Sequence, residues 1–296
     1  MGARIAQSHF GCWMDTMTRD IVKSINAIQH SSTNEKTNAT TMTPTPSATI
    51  ITSDKSSYCI SFDNVLEAAE RISGVAHRTP VLTSASFNCD GRRLFFKVEA
   101  MQRTGSFKFR GALNAIQAKV ADINEPCLTV VTHSSGNHAA AVALAANLSS
   151  TDKTAVSATI VMPKNAPAIK VAGVKGFGGT IVAVENTPEA REVAADEILK
   201  QSGGIFVHPS EDPRVIAGQG TVSLELVAQV KELGYDVDAV IIPVGGGGLA
   251  SGNTVALRGL LGDKVKVSQE LMIVVCLDSI GVPENVFSSR MHLYFI

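Results

Sequence analysis

The stretch Ala239-Val240-Ile241-Ile242-Pro243-Val244-Gly245-Gly246-Gly247-Gly248-Leu249-Ala250 decides the fold class. Its first half is an apolar run of strand length, far too short to cross a bilayer. Its second half opens a helical pattern that runs from Ala250 to Leu261. The four glycines between them let the backbone turn its N–H groups toward a phosphate without obstruction from a Cβ. The loop lacks the Gly-Lys-Ser/Thr ending of a nucleotide P-loop and the spacing of a dinucleotide fingerprint, so a phosphate smaller than a nucleotide fits it better. A plain flexible turn is the alternative.

The same strand–loop–helix grammar extends in both directions from this stretch. Strand-like Leu94 to Val98 is followed by a helix over Arg110 to Val120, then strand Leu128 to Thr132 by a helix over His138 to Leu148. Strands Ala158 to Met162 and Thr180 to Val184 come next, with a helix over Pro188 to Lys200. Strand Ile205 to His208 and a helix over Thr221 to Leu233 complete the series. Strands joined by crossover helices make an α/β fold of open parallel sheets with helices on both faces. Ligands of such folds bind beyond the carboxyl ends of the strands, so the loops there are the place to seek chemistry.

Composition narrows the function. With 296 residues there is room for one large or two modest domains of about 100 to 200 residues each. A formal net charge of −1 and 18% charged residues give no reason to expect nucleic acid or an anionic membrane as partner, so the expected ligand is small. The five cysteines, Cys12, Cys59, Cys89, Cys127 and Cys276, contain no C-x-x-C pair and read as reduced thiols of a cytoplasmic protein. Residues 1–57 stand apart, because Ser31 to Ser57 is rich in Ser, Thr, Asn and Pro and reads as disordered. Organelle targeting is the other reading of that extension, but Asp15, Asp20, Glu35 and Asp54 speak against an acid-poor transit sequence.

Two further loops carry reactive side chains. In Thr104-Gly105-Ser106-Phe107-Lys108-Phe109-Arg110-Gly111-Ala112, a lysine sits just before a helix, behind Gly and Ser and between two phenylalanines. A partly apolar pocket lowers an amine pKa, as a Schiff-base lysine needs; a solvated surface lysine is the alternative. In His133-Ser134-Ser135-Gly136-Asn137-His138, amides and short polar side chains converge at a helix start suited to an anion, although either serine could be a plain cap.

Together the three loops resemble the pyridoxal-phosphate (PLP) enzymes of fold type II, the family of serine racemase, serine and threonine dehydratases and tryptophan synthase β chains. Residues 58–267 carry the resemblance, and Tyr58-Cys59-Ile60-Ser61-Phe62, Thr79-Pro80-Val81-Leu82-Thr83-Ser84 and Ile216-Ala217-Gly218-Gln219-Gly220-Thr221 look like eukaryotic serine racemases. The resemblance implies two lobes, the small one nested within the large one. It implies that Lys108 binds PLP covalently and serves as base on one face of the substrate. Phe107 would pack beside the cofactor ring, Asn137 would bond its ring oxygen, and Gly245, Gly246, Gly247, Gly248 and Leu249 would cradle its phosphate. Ser210 falls where the family often has another polar cofactor contact. Ser134, Ser135 and His138 would meet the substrate carboxylate, with Arg191 as a further candidate.

Ser135 also occupies the position where serine racemases place their second acid/base, whereas threonine dehydratases carry Ala there. The implied activity is serine racemisation with β-elimination of serine and threonine, in a homodimer. Threonine or 3-hydroxyaspartate dehydration is one alternative, and a dead PLP-binding or modulatory chain is another. The match ends near Val265-Lys266-Val267, so residues 268–296 are expected to be a divergent tail and the fold incomplete at the C-terminus. The Ala-Glu-Pro segment whose acidic residues help bind a divalent cation in the family is not found in this chain, and no metal ligand is assigned.

Overall fold

Ser61 opens the first helix, α1 (Phe62–Ile72), with a reciprocal cap: its hydroxyl accepts from the Asn64 amide while the Asn64 side chain accepts from the Ser61 amide. The helix buries Val65, Ala68 and Ile72 on one face. The computed structural model describes residues 59–85, 93–262 and 265–271. The N-terminal extension and residues 272–296 therefore lie outside the described residues, as do Cys12, Cys89 and Cys276. Residues 60–83 and 95–271 form one compact unit, which contains all the elements named below.

Strand β1 (Val81–Thr83) pairs antiparallel with β2 (Phe95–Lys97), so the strand expected over Leu94 to Val98 belongs to a short hairpin-like sheet rather than to a parallel one. Two 3-10 turns, Glu99–Met101 and Arg103–Gly105, lead into α2 (Lys108–Asp122). Then β3 (Cys127–His133), α3 (Asn137–Ser149), β4 (Ala155–Pro163), α4 (Ala168–Gly176), β5 (Thr180–Val184), α5 (Pro188–Ser202) and β6 (Ile205–Phe206) follow. The four strands form one all-parallel sheet in the order β5-β4-β3-β6. Side chains alternate across it. Leu128, Val130, Ala158 and Ile160 face a core built with α2 and α3, while Val131 and Val161 pack against Ala195 of α5. This sheet is covered on both faces, as its β-branched runs require.

The chain continues into α6 (Pro213–Glu232), β7 (Ala239–Val244), α7 (Gly248–Leu261) and β8 (Lys266–Leu271). β7 and β8 pair in parallel from Ala239↔Lys266 to Val244↔Leu271, so the ladder runs through residues 268–271. The helix expected over Thr221 to Leu233 begins at Pro213 instead. Asp212 caps it by accepting from the Arg214 amide, and the fixed φ of Pro213 suits a first helical position. Ile216 to Thr221 is therefore helical, and its glycines are crossing points. A Cβ on Gly218 would stand 2.6 Å from the Gly111 Cα of α2, and one on Gly220 would stand 2.6 Å from the Gly252 carbonyl of α7. Helices α2, α6 and α7 thus pack backbone to backbone.

Candidate active site

The turn that delivers Lys108 is built by left-handed backbone. Thr104 (φ 62°) and Gly105 (φ 75°) both have positive φ, which costs the threonine about 1 kcal/mol and suits the glycine. Gln102, buried, holds the turn: its Oε1 accepts from the amides of His77 and Arg103, and its Nε2 donates to the His77 carbonyl. Ser106 returns to extended backbone, and α2 starts immediately with Lys108 as its first residue. The Lys108 Nζ donates to the Pro209 carbonyl at 2.7 Å and stands 5.2 Å from the centroid of the Phe107 ring. Burial holds its pKa below the usual lysine range, which favours the neutral, nucleophilic amine.

Arg110, two residues on, faces a different set of partners. Its guanidinium, fully buried, donates to both oxygens of Glu99 at 2.8 Å and to Glu225 at 2.6 and 2.9 Å. Lys97 adds bonds to Glu225, Gln229 and the Thr79 carbonyl. Two cations and two carboxylates cancel in charge. Burial opposes the Arg110 charge, but the carboxylates outweigh it and raise its pKa. Burial likewise pushes Glu225 up, and the bond from Arg110 outweighs that and holds it low. For Lys97 burial wins, and its pKa falls despite Glu225. The network clamps β2 and α6 to the first turn of α2.

The second loop divides its two serines. The Ser134 hydroxyl accepts from the Gly136 amide at 3.3 Å, a local turn bond, while the Ser135 side chain makes no hydrogen bond among the described residues. Asn137 heads α3 and is exposed. His138 is buried, with Nε2 donating to the Val207 carbonyl at 3.0 Å and Nδ1 without a partner among the described residues. Burial lowers its pKa to about 4, so it is a neutral imidazole at pH 7. Its one ring proton is committed to a backbone carbonyl, which leaves none to offer a carboxylate.

The glycine loop ends in Gly247, left-handed at φ 87°, which starts α7. A Cβ on Gly246 would stand 2.6 Å from the Ser210 Oγ, and one on Gly248 would stand 2.9 Å from the Ser210 carbonyl. Gly246 and Gly248 are needed for close approach and Gly247 for its φ. The amides at the head of α7 have no intrahelical partner, which makes the loop a fit for a phosphate group. Leu249 itself is a core side chain, packed with Val222, Val240 and Ile242, and Phe107 lies against the same cluster.

These contacts show where the three loops meet. Val207 to Ser210, the segment leaving β6, gives one carbonyl to His138, another to Lys108, and its serine to the glycine loop. Of the residues expected to form a site, Lys108, His138, Gly246 and Gly248 are thus gathered by one segment of which only Ser210 is singled out in the sequence. The dipeptides Pro209-Ser210 and Asp212-Pro213 mark it as a turn but not as a hub. Arg191 is not brought in by any hydrogen bond: its Nε donates to the Thr187 carbonyl one turn back in α5. Among the described residues no group of His, Cys, Asp or Glu could hold a metal ion, and no helix is long and apolar enough to cross a membrane.

A half-buried lysine whose amine is held on the same turn that packs on a glycine-rich loop, on an α/β scaffold with parallel sheets, fits the class of phosphorylated-aldehyde cofactor enzymes. The sequence pattern described as Pyridoxal-phosphate dependent enzyme matches residues 72–275, and the chain belongs to that family. It is 44% identical over 208 residues to serine racemase from Arabidopsis thaliana, covering 70% of this chain and 60% of the relative. The solved structure of maize serine racemase superposes with a TM-score of 0.65 at 42% identity, over 72% of this chain and 61% of that one. A solved threonine deaminase, that of T.th., gives a TM-score of 0.63 at 39% identity, over 71% of this chain and 64% of that one. The chain spans about 60% of the length of the curated relative.

Proposed function

We propose that this chain is a PLP-dependent racemase of serine, with β-elimination of serine or threonine as a companion reaction, working as a cytoplasmic homodimer. The observation that carries the reading is the Lys108 amine held on the Pro209 carbonyl, one residue from the serine that packs on the glycine loop. In this reading Lys108 would hold the cofactor, Phe107 and Asn137 would flank its ring, and Gly245 to Leu249 would take its phosphate with Ser210 beside them. Bound there, PLP supplies an electron sink that stabilises the carbanion left when a proton leaves the substrate α-carbon. Lys108 moves that proton at Nζ on one face, and Ser135 Oγ, uncommitted where Ser134 is not, moves it on the other. Ser134, Ser135 and Arg191 are the candidates for the substrate carboxylate, and His138, its ring proton given to the Val207 carbonyl, holds the loop that carries the serines.

The domain plan of this reading keeps residues 1–57 as an extension and 268–296 as a tail. Its small lobe, built on the four-stranded sheet, is nested in the chain of a larger one. A second reading, dehydration of threonine or 3-hydroxyaspartate, is favoured by the likeness to the threonine deaminase structure. Incubation with PLP followed by borohydride and peptide mapping tests the assignment. The adduct is expected on Lys108 and is expected to vanish in Lys108→Ala; labelling of another lysine that survives this substitution would overturn it.

A further inference from the structure

His208 lies in the middle of the segment that gathers the three loops, and it is not needed by the proposed chemistry. Its Nδ1 accepts two backbone amides at once, Ser210 at 3.2 Å and Glu211 at 2.9 Å. With Nδ1 occupied as acceptor, the ring proton of the neutral form resides on Nε2, 3.7 Å from the Glu211 carboxylate. A side chain that accepts from residues two and three further on closes a turn in the way Asn and Asp do in Asx turns. The turn it closes contains Pro209, whose carbonyl receives Lys108, and Ser210, which leaves no room for a Cβ on Gly246 or Gly248. The Phe206 ring stands beside the imidazole, its centroid 6.1 Å away.

We propose that His208 is a positioning residue for the cofactor cradle: its Nδ1 fixes the Pro209–Ser210 turn, and the turn sets the distance between the Lys108 amine and the glycine loop. The inference rests on the reading that Lys108 and the glycine loop hold PLP. Without the imidazole acceptor, the Ser210 and Glu211 amides turn to water, and the turn gains freedom at the point where sub-ångström placement matters. Asparagine at 208 can restore the acceptor through Oδ1, whereas alanine cannot.

Two measurements separate this proposal from the function on which it rests. Hydrogen exchange of the PLP-free protein is expected to be at least about tenfold faster at the Ser210 and Glu211 amides in His208→Ala than in wild type, with the thermal midpoint little changed. PLP titration, followed by absorbance and borohydride trapping, is expected to show binding weakened about tenfold in His208→Ala and within about threefold of wild type in His208→Asn. Unchanged exchange in His208→Ala, or His208→Asn binding as weakly as His208→Ala, would overturn the proposal. A wild-type protein that takes up no PLP overturns the proposed function and the cofactor half of this inference, and the exchange measurement still decides whether His208 holds the turn.

Discussion

At the scale of single residues, the two serines of the second loop make different predictions. Ser134 is engaged with the Gly136 amide and Ser135 is not, so Ser135→Ala is expected to lower serine racemisation by about 100-fold or more while pyruvate release stays measurable. Chiral amino-acid analysis and a pyruvate assay on the same sample check it, and equal loss of both activities would make Ser135 a purely local element of the turn. Lys108 predicts a pH effect. Because burial lowers its pKa, reductive methylation without PLP is expected to label Lys108 at lower pH than an ordinary solvated lysine. His138 predicts acid sensitivity. At pH 5 the folded chain keeps it neutral while the unfolded chain protonates it, so protons favour unfolding. The stability at stake is on the order of 3 kcal/mol, lost as pH falls from about 6.5 to about 4. Urea melts at pH 7 and pH 4.5 measure it, and His138→Gln is expected to flatten the difference.

At the scale of elements, the glycine crossings make α2 and α6 one unit. Gly218→Ala would push a methyl group into the Gly111 Cα and the Arg110 carbonyl, neither of which can rotate away, so a loss of about 1 to 3 kcal/mol or more is expected. Gly173→Ala on α4, where a Cβ meets open space, is expected to be neutral or slightly stabilising, and paired urea midpoints compare the two. The parallel strands and the helices after β3 and β7 are legible in the sequence because apolar runs, glycines and Ala-rich periods all agree there. α6 is legible only in its second half. Its first turns, Val215 to Thr221, contain three small residues among buried neighbours and carry no amphipathic period, since both faces are covered by other helices. The Lys108 turn stands out by its residue types, but its contact with Pro209 bridges segments about a hundred positions apart, and no local period records that.

At the scale of the whole molecule, the Glu99–Arg110–Glu225–Lys97 network ties the lysine-bearing turn to elements on either side of it in sequence. Arg110→Met would strip both Glu99 and Glu225 of the guanidinium and leave Lys97, which bonds Glu225, as the one cation of the network, and a destabilisation of about 3 to 5 kcal/mol is expected. The paired variant Arg110→Met/Glu99→Met is expected to recover part of it, a comparison that urea unfolding resolves. The network is hidden in the sequence because Lys97 and Glu99 read as ordinary surface residues beside a short strand, and only folding shows that both are buried.

The hub leaving β6 engages its neighbours mainly through main-chain atoms: the Val207 carbonyl, the Pro209 carbonyl and the Ser210 backbone. A main-chain contact is blind to side-chain identity but sensitive to chain length. The Val207 and Pro209 carbonyls would serve as acceptors under any side chain, although Val207 itself is a buried core residue, whereas deleting or inserting one residue between 207 and 210 displaces the partners of all three loops together. For the Val207 and Pro209 carbonyl contacts, length rather than spelling is what mutation is least free to alter.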